Sequence, residues 1–140
     1  MSAVVVDTGV FSAPLLARRK VRQTLEEKYR RHLIGHQLVI ATQTLAELHY
    51  GAEVAGWGTA RRERLARHVD AALLVAPDAR MCARFGELKA DLRRIGHPLH
   101  QADHTADLWI AVTAISFGLP LVAHDGVFVD CPGLELRTEL

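Results

Sequence analysis

Four acidic residues at widely spaced positions, Asp7, Glu47, Asp107 and Asp125, carry the chemistry this sequence offers. Asp7 directly follows a short apolar run, Asp125 follows one after His124, and the two stand just ahead of Gly9 and Gly126. Asp107 falls on the same helical stripe as Ile110, Ala111, Ala114 and Ile115, where an isolated carboxylate costs several kcal/mol unless it is paired, hydrogen-bonded or bound to metal. Glu47 borders the apolar stripe of another helical segment. Taken singly, each acid has a plain reading as well. Asp7 and Asp125 can cap the turns that follow them, Asp107 can sit in a first helical turn, and Thr44-Leu45-Ala46-Glu47 fits a capping box. Together they point further. Four carboxylates gathered in one place repel one another and raise each other's pKa values unless cations intervene. Magnesium suits such a site, because it takes oxygen ligands and keeps waters and substrate phosphates in its shell. One or two such ions can activate water and steady the charge on a phosphodiester during in-line attack.

The elements between these acids decide whether they meet. Ala3-Val4-Val5-Val6 is a continuous β-branched run, the pattern of a parallel strand covered on both faces. Further strands are expected at Gln37–Ala41, Ala72–Ala76 and Leu121–Ala123, with a weak one at Leu134–Leu136. Helices are expected from about Val21 to Leu33, from Thr42 or Thr44 to about Ala55, after Thr59, from Asp78 to Ile95 and from Ala106 to Phe117. Gly51 stands inside the second of these, where close approach of another group would compensate its cost. Asp103, one turn before Asp107, reads as a cap or a peripheral acid. Strands alternating with helices predict an α/β fold, a three-layer α/β/α arrangement around a central, mainly parallel sheet of four to five strands. If the first and fourth strands are neighbours, their exit loops flank the topological switch point, where such sheets bind ligands.

The bulk properties narrow the field. At 140 residues, 49% hydrophobic and 24% charged, the chain fits one folded domain over residues 1–140. No apolar run approaches a membrane span, no basic leader opens the chain, and Cys82 and Cys131 lack CxxC partners. A reduced, cytoplasmic protein is the expectation. Net charge is only +1 but unevenly spread. Leu15–Ile34 carries Arg18, Arg19, Lys20, Arg22, Lys28, Arg30 and Arg31 against Glu26 and Glu27, whereas the stretch from Gln101 onward is acidic. Such asymmetry points to a polyanion partner for one region and a cation for another.

With these residues in view, the chain resembles a PIN-domain ribonuclease of the VapC toxin type. The resemblance runs through Val4-Val5-Val6-Asp7-Thr8, Thr44–Gly51, His104–Ala111 and Leu121–Phe128, in that order. It implies a single PIN-like domain and a magnesium-dependent, or manganese-dependent, RNA endonuclease toxin, with Asp7, Glu47, Asp107 and Asp125 as the catalytic and metal-binding cluster. It also implies a homodimer and a cognate VapB-like antitoxin that blocks the site. One position departs from the pattern: many relatives carry Ser or Thr two residues before the last acid, where this chain has Ala123. That departure is the feature favouring a degenerate PIN module that binds RNA or protein without cutting. The basic residues at Arg18–Lys20 and Arg61–Arg67 are candidate contacts to RNA backbone. A dehalogenase-type phosphatase would need a second acid where Gly9 stands, and a receiver domain would need a lysine after a late strand, whereas the last lysine is Lys89.

Overall fold

The three valines are buried from both sides: Val4, Val5 and Val6 have no exposed area. They form β1 (Ala3–Val6), the central strand of a five-stranded, fully parallel sheet in a computed structural model that describes residues 2–140. The other strands are β2 (Gln37–Ala41), β3 (Leu73–Val75), β4 (Leu121–Val122) and β5 (Leu136–Arg137), in the order β3-β2-β1-β4-β5. Val5 pairs with Val39 on one side and Leu121 on the other. The chain therefore steps outward from β1 to β3 and returns across β1 to β4. That reversal makes the crevice between the β1 and β4 exits the topological switch point.

Six α-helices cover the sheet: α1 (Thr8–Ser12), α2 (Arg19–Leu33), α3 (Thr42–Ala55), α4 (Thr59–Asp70), α5 (Ala79–Arg94) and α6 (Thr105–Phe117). Side chains alternate along β1, so the two layers read different valines. Val5, with Val39, faces α5 and α6 through Met81, Leu88, Leu92, Leu108 and Val112. Val4 and Val6, with Ile40, face α1, α2, α3 and α4 through Phe11, Tyr29, Leu48 and Leu65. Helix α3 also packs against α6, so it closes the sheet edge where the strands end. Gly56 and Gly118, both at φ 63°, terminate α3 and α6 in the left-handed conformation that glycine adopts without a Cβ penalty.

Three local expectations differ from the structure. The last strand lies two residues later than its apolar pattern, because Leu134 closes a turn onto the Cys131 carbonyl and packs against the core; pairing with β4 begins only where the Leu121 amide meets the Glu135 carbonyl. Thr59 does not cap α4; Gly58 occupies the cap position and no side chain bonds there. Gly51 has no heavy atom within 4 Å of where a Cβ would stand, so no close approach explains it. Both cysteines are free, Cys82 exposed and Cys131 buried. Among the described residues no helix is long and apolar enough to cross a membrane.

Candidate acidic site at the strand exits

Asp7 continues the sheet ladder for one more residue, its amide donating to the Val122 carbonyl at 3.1 Å, and then leaves the strand. Its side chain turns back to cap α1: Oδ1 accepts from the Val10 amide at 2.9 Å. The cap reading of Asp7 is thus realised, and it uses one carboxylate oxygen. Asp7 is 5% exposed, and burial pushes its carboxyl up to about 7, further raised by the charges of Asp125 and Asp107. The Val10 amide, and more weakly the His124 amide, oppose that shift. Gly9 is part of α1 and needs no special backbone angle. A Cβ there would come within 3.7 Å of Asp7 Oδ2, in ordinary contact.

Asp107 enters from the first turn of α6 and is half-buried. Desolvation raises its pKa; the hydrogen bond from His104 Nδ1 to Oδ2, at 3.1 Å, lowers it, and Asp125 and Asp103 raise it again. Asp103 itself is exposed in the Ala102–His104 turn and caps nothing, because His104 holds the cap position of α6. Its link to the site is its charge near Asp107. Asp125 stands at the exit of β4, exposed, with Oδ1 accepting from the Val127 amide at 3.0 Å. That is the expected cap, realised on the single 3-10 turn Gly126–Phe128.

Glu47 reaches the group from the second turn of α3. The capping box predicted for it does not form: α3 already starts at Thr42, and Thr44 lies inside it. Instead Thr8 Oγ1 lies 3.0 Å from Glu47 Oε1 and 3.2 Å from Thr44 Oγ1. A carboxylate only accepts, so the Thr8 proton goes to Glu47 and the buried Thr44 hydroxyl is free to donate to Thr8. Desolvation raises the Glu47 pKa, ahead of the lowering by Thr8; the charge of Asp107 adds to the rise. Asp107 is therefore the electrostatic link between Glu47 and the pair of strand-exit acids. Four residues from four elements are drawn to one edge of the sheet.

The donor set is oxygen-only and open. Among the described residues no three His, Cys, Asp or Glu side chains close around a point as a finished metal cage would. Thr8 and His104, which hold two of the acids, were not assigned roles from the sequence; Thr8 is one residue from Asp7, and His104 one helical turn before Asp107. Ala123 is fully buried and carries no hydroxyl, so the polar support behind Asp7 comes from the backbone amides of Val10 and His124.

The basic residues divide into two kinds. Arg61 lies 3.8 Å over the Trp57 ring and donates from Nε and Nη2 to the Leu15 carbonyl. Arg62 donates to the Trp57 and Ala52 carbonyls and pairs with Glu53. Both help to hold α4 against its neighbours, whereas Arg64 and Arg67 are exposed. Arg18, Arg19 and Lys20 are exposed at the start of α2. A concavity of about 610 Å³ lies elsewhere again, under α2 between Val6, Phe11, Leu33, Leu38 and His68, and includes none of the four acids.

The family model for the PIN domain matches residues 4–134. Comparison with the curated proteins gives no match. Among solved structures, the chain is similar to one in DNA-bound VapBC from Salmonella typhimurium, at 26% identity and a TM-score of 0.70 over 99% of this chain and 98% of that one. It is also similar to one in VapBC2 from Rickettsia felis bound to a promoter DNA fragment, at 20% identity and a TM-score of 0.75 over 97% and 98%. A third likeness is to a chain of FitAB bound to a DNA fragment, at 18% identity and a TM-score of 0.72 over 96% and 94%.

Proposed function

Because this chain belongs to the PIN-domain family, we propose that it is the nuclease toxin of a VapBC-type toxin–antitoxin module, a divalent-metal-dependent endoribonuclease acting in the cytoplasm. The observation that carries this reading is Asp7: a nearly buried carboxyl at the switch point, pushed up to about 7, with the charges of Asp107 and Asp125 beside it. A group in that position is stabilised by a cation rather than by protein partners. Magnesium, or manganese in its place, would be held by Asp7 and Asp107, with Glu47 and Asp125 completing the shell or orienting water. When bound it would supply charge stabilisation to a phosphodiester and a more acidic water.

The chain's own part is positional. Val10 and the strand ladder fix Asp7, His104 fixes Asp107, and Thr8 holds Glu47 in reach of the same space. The partners we infer are an RNA substrate, a second copy of the chain, and a VapB-like antitoxin of the kind named in the similar complexes. The purified protein, freed of any antitoxin, should cut RNA with Mg²⁺ or Mn²⁺, stop with EDTA, and fail as Asp7→Ala or Asp107→Asn. Cleavage that survives EDTA or loss of Asp107 would overturn the metal mechanism. Failure to cut transfer, ribosomal or messenger RNA would favour the non-cutting binding module, the reading that buried, hydroxyl-free Ala123 supports.

A further inference from the structure

Tyr29 is the largest fully buried side chain on α2, yet it carries a hydroxyl with three partners. The oxygen lies 2.6 Å from His124 Nδ1 and 3.3 Å from Thr138 Oγ1, and it accepts from the Glu139 amide at 3.0 Å. A phenol has one proton to give and two lone pairs. The Glu139 amide can only donate, so it takes one lone pair. The phenol is the more acidic of the two hydroxyls and an imidazole nitrogen the better acceptor, so the short contact is Tyr29 donating to His124 Nδ1. Thr138 then donates to the second lone pair. This accounting leaves the His124 proton on Nε2. The ring also meets Tyr29 edge to face, centroids 5.4 Å apart, which holds its orientation.

Among the described residues His124 Nε2 has no hydrogen-bond partner, and His124 is half-buried. The residue lines a shallow concavity of about 480 Å³ with Lys20, Val21, Thr24, Leu25 and Lys28. Lys20, Thr24 and Lys28 are spaced by four along α2, so they share one face of the helix. Thr24 donates its hydroxyl to the Lys20 carbonyl, and both lysines are exposed with no carboxylate partner in the structure. One residue beyond His124 is Asp125. His124, adjacent in sequence to Asp125, thus shares a concavity with two exposed lysines.

We propose that His124, Lys20 and Lys28 form an anion subsite that holds a backbone phosphate of RNA next to the one at the acidic cluster. The subsite rests on the nuclease reading for its substrate. Its logic is complementary: the acids, with a cation, take the phosphate that reacts, and the α2 face takes a neighbouring phosphate that does not. Bound there, the strand would be placed relative to Asp125 without any reading of bases.

The test measures binding of a short single-stranded RNA in EDTA, where no cutting intervenes, across a salt series. Lys20→Ala and Lys28→Ala should each flatten the dependence of log affinity on log salt by about 0.7. His124→Leu should weaken binding about tenfold and His124→Gln, which keeps a donor, should restore most of it. Imidazole ¹⁵N shifts should show His124 protonated on Nε2 in the parent protein and as mixed tautomers in Tyr29→Phe. Arg93→Ala, on the opposite face of the sheet, is the control and should leave the slope near its parent value. Unchanged RNA affinity and slope in the α2 and His124 variants would overturn the subsite. Equal weakening of poly-L-glutamate binding would also overturn it, in favour of a general surface for acidic partners. Cleavage with Mn²⁺ is assayed separately: a parent that binds as described but never cuts removes the nuclease reading, whereas a parent that cuts while all variants bind normally removes only the subsite.

Discussion

β1 and β4 lie side by side and leave the sheet on similar sequences, an apolar run followed by an aspartate and a glycine, yet their two acids stand in different worlds. Asp7 and Asp125 each accept one backbone amide from the turn that follows, at 2.9 and 3.0 Å. Asp7 belongs to the central strand, flanked on both sides and overlaid by helices, and is nearly buried. Asp125 follows a two-residue strand next to the sheet edge, enters a single 3-10 turn and is exposed. The same local motif therefore yields a desolvated carboxyl, its pKa pushed up to about 7, in one place and an exposed one in the other. What separates them is strand position, a property of the topology and not of the residues themselves.

The widest gap should appear in catalysis. A buried ligand cannot be replaced by water, whereas an exposed one can. Asp7→Asn should cost several kcal/mol of transition-state stabilisation, about a thousandfold or more in RNA cleavage. Asp125→Asn should cost about ten- to a hundredfold, the range of groups that tune a site from its border. Single-turnover cleavage with Mg²⁺ measures both. Equal losses would mean that burial does not rank the two acids, and the comparison would fail.

Stability against pH should separate them next. In the metal-free protein the Asp7 carboxyl titrates at about 7, against 3.8 for the free side chain. Below 3.8 both folded and unfolded chains hold the proton and nothing is lost. Between 3.8 and about 7 the unfolded chain ionises while the folded one does not, so stability falls as pH rises and levels off above 7. The full window corresponds to about 4 kcal/mol at most. Glu47 and Asp107, also raised, add with the same sign. Urea unfolding in EDTA should show this decline, Mg²⁺ should recover part of it above pH 7, and Asp7→Asn should remove most of it. Asp125→Asn should change it little.

Periodicity and composition made the sheet and five of the six helices legible, because parallel strands buried on both faces write themselves as unbroken apolar runs; the short α1 was missed, and the crevice between β1 and β4 followed only if those strands were neighbours. The four acids were legible as anomalies in such a pattern. What was not legible was direction. Arg61 and Arg62 have the composition of a phosphate-binding stretch, but Arg61 stacks on the Trp57 ring and donates to the Leu15 carbonyl, 46 residues away, while Arg62 donates to the Trp57 and Ala52 carbonyls. Thr44 and Glu47 have the spacing of a capping box, but α3 begins at Thr42, so the pair bonds to Thr8 instead. Tyr29 reads as an ordinary core aromatic until its hydroxyl is seen against His124, 95 residues away. Short-range pattern names residue types and faces; it does not name partners.

The smallest effect is the most discriminating, because the contribution of Asp7 should change with pH. Both aspartates are helix or turn caps, and replacing such a cap by alanine costs about 1 kcal/mol. For exposed Asp125 that is the whole account: Asp125→Ala should lose about 1 kcal/mol at pH 5 and at pH 8 alike, and Asp125→Asn, which can still accept the Val127 amide, should lose only a few tenths. For Asp7 the cap opposes a desolvation penalty that exists only when the carboxyl is ionised. At pH 5 the folded chain keeps the proton while the unfolded one is already ionised, so about 1.6 of the roughly 4 kcal/mol penalty has accrued, and Asp7→Ala should gain less against the parent there than at pH 8. At pH 8 without metal the parent carries a buried charge that alanine does not, so Asp7→Ala should equal or exceed it in stability. Urea unfolding of the two alanine variants at both pH values, in EDTA, reads this directly. A loss at Asp7 that is the same at pH 5 and pH 8 would show that its carboxyl is as well hydrated as that of Asp125, and the distinction between the central and the peripheral strand exit would disappear.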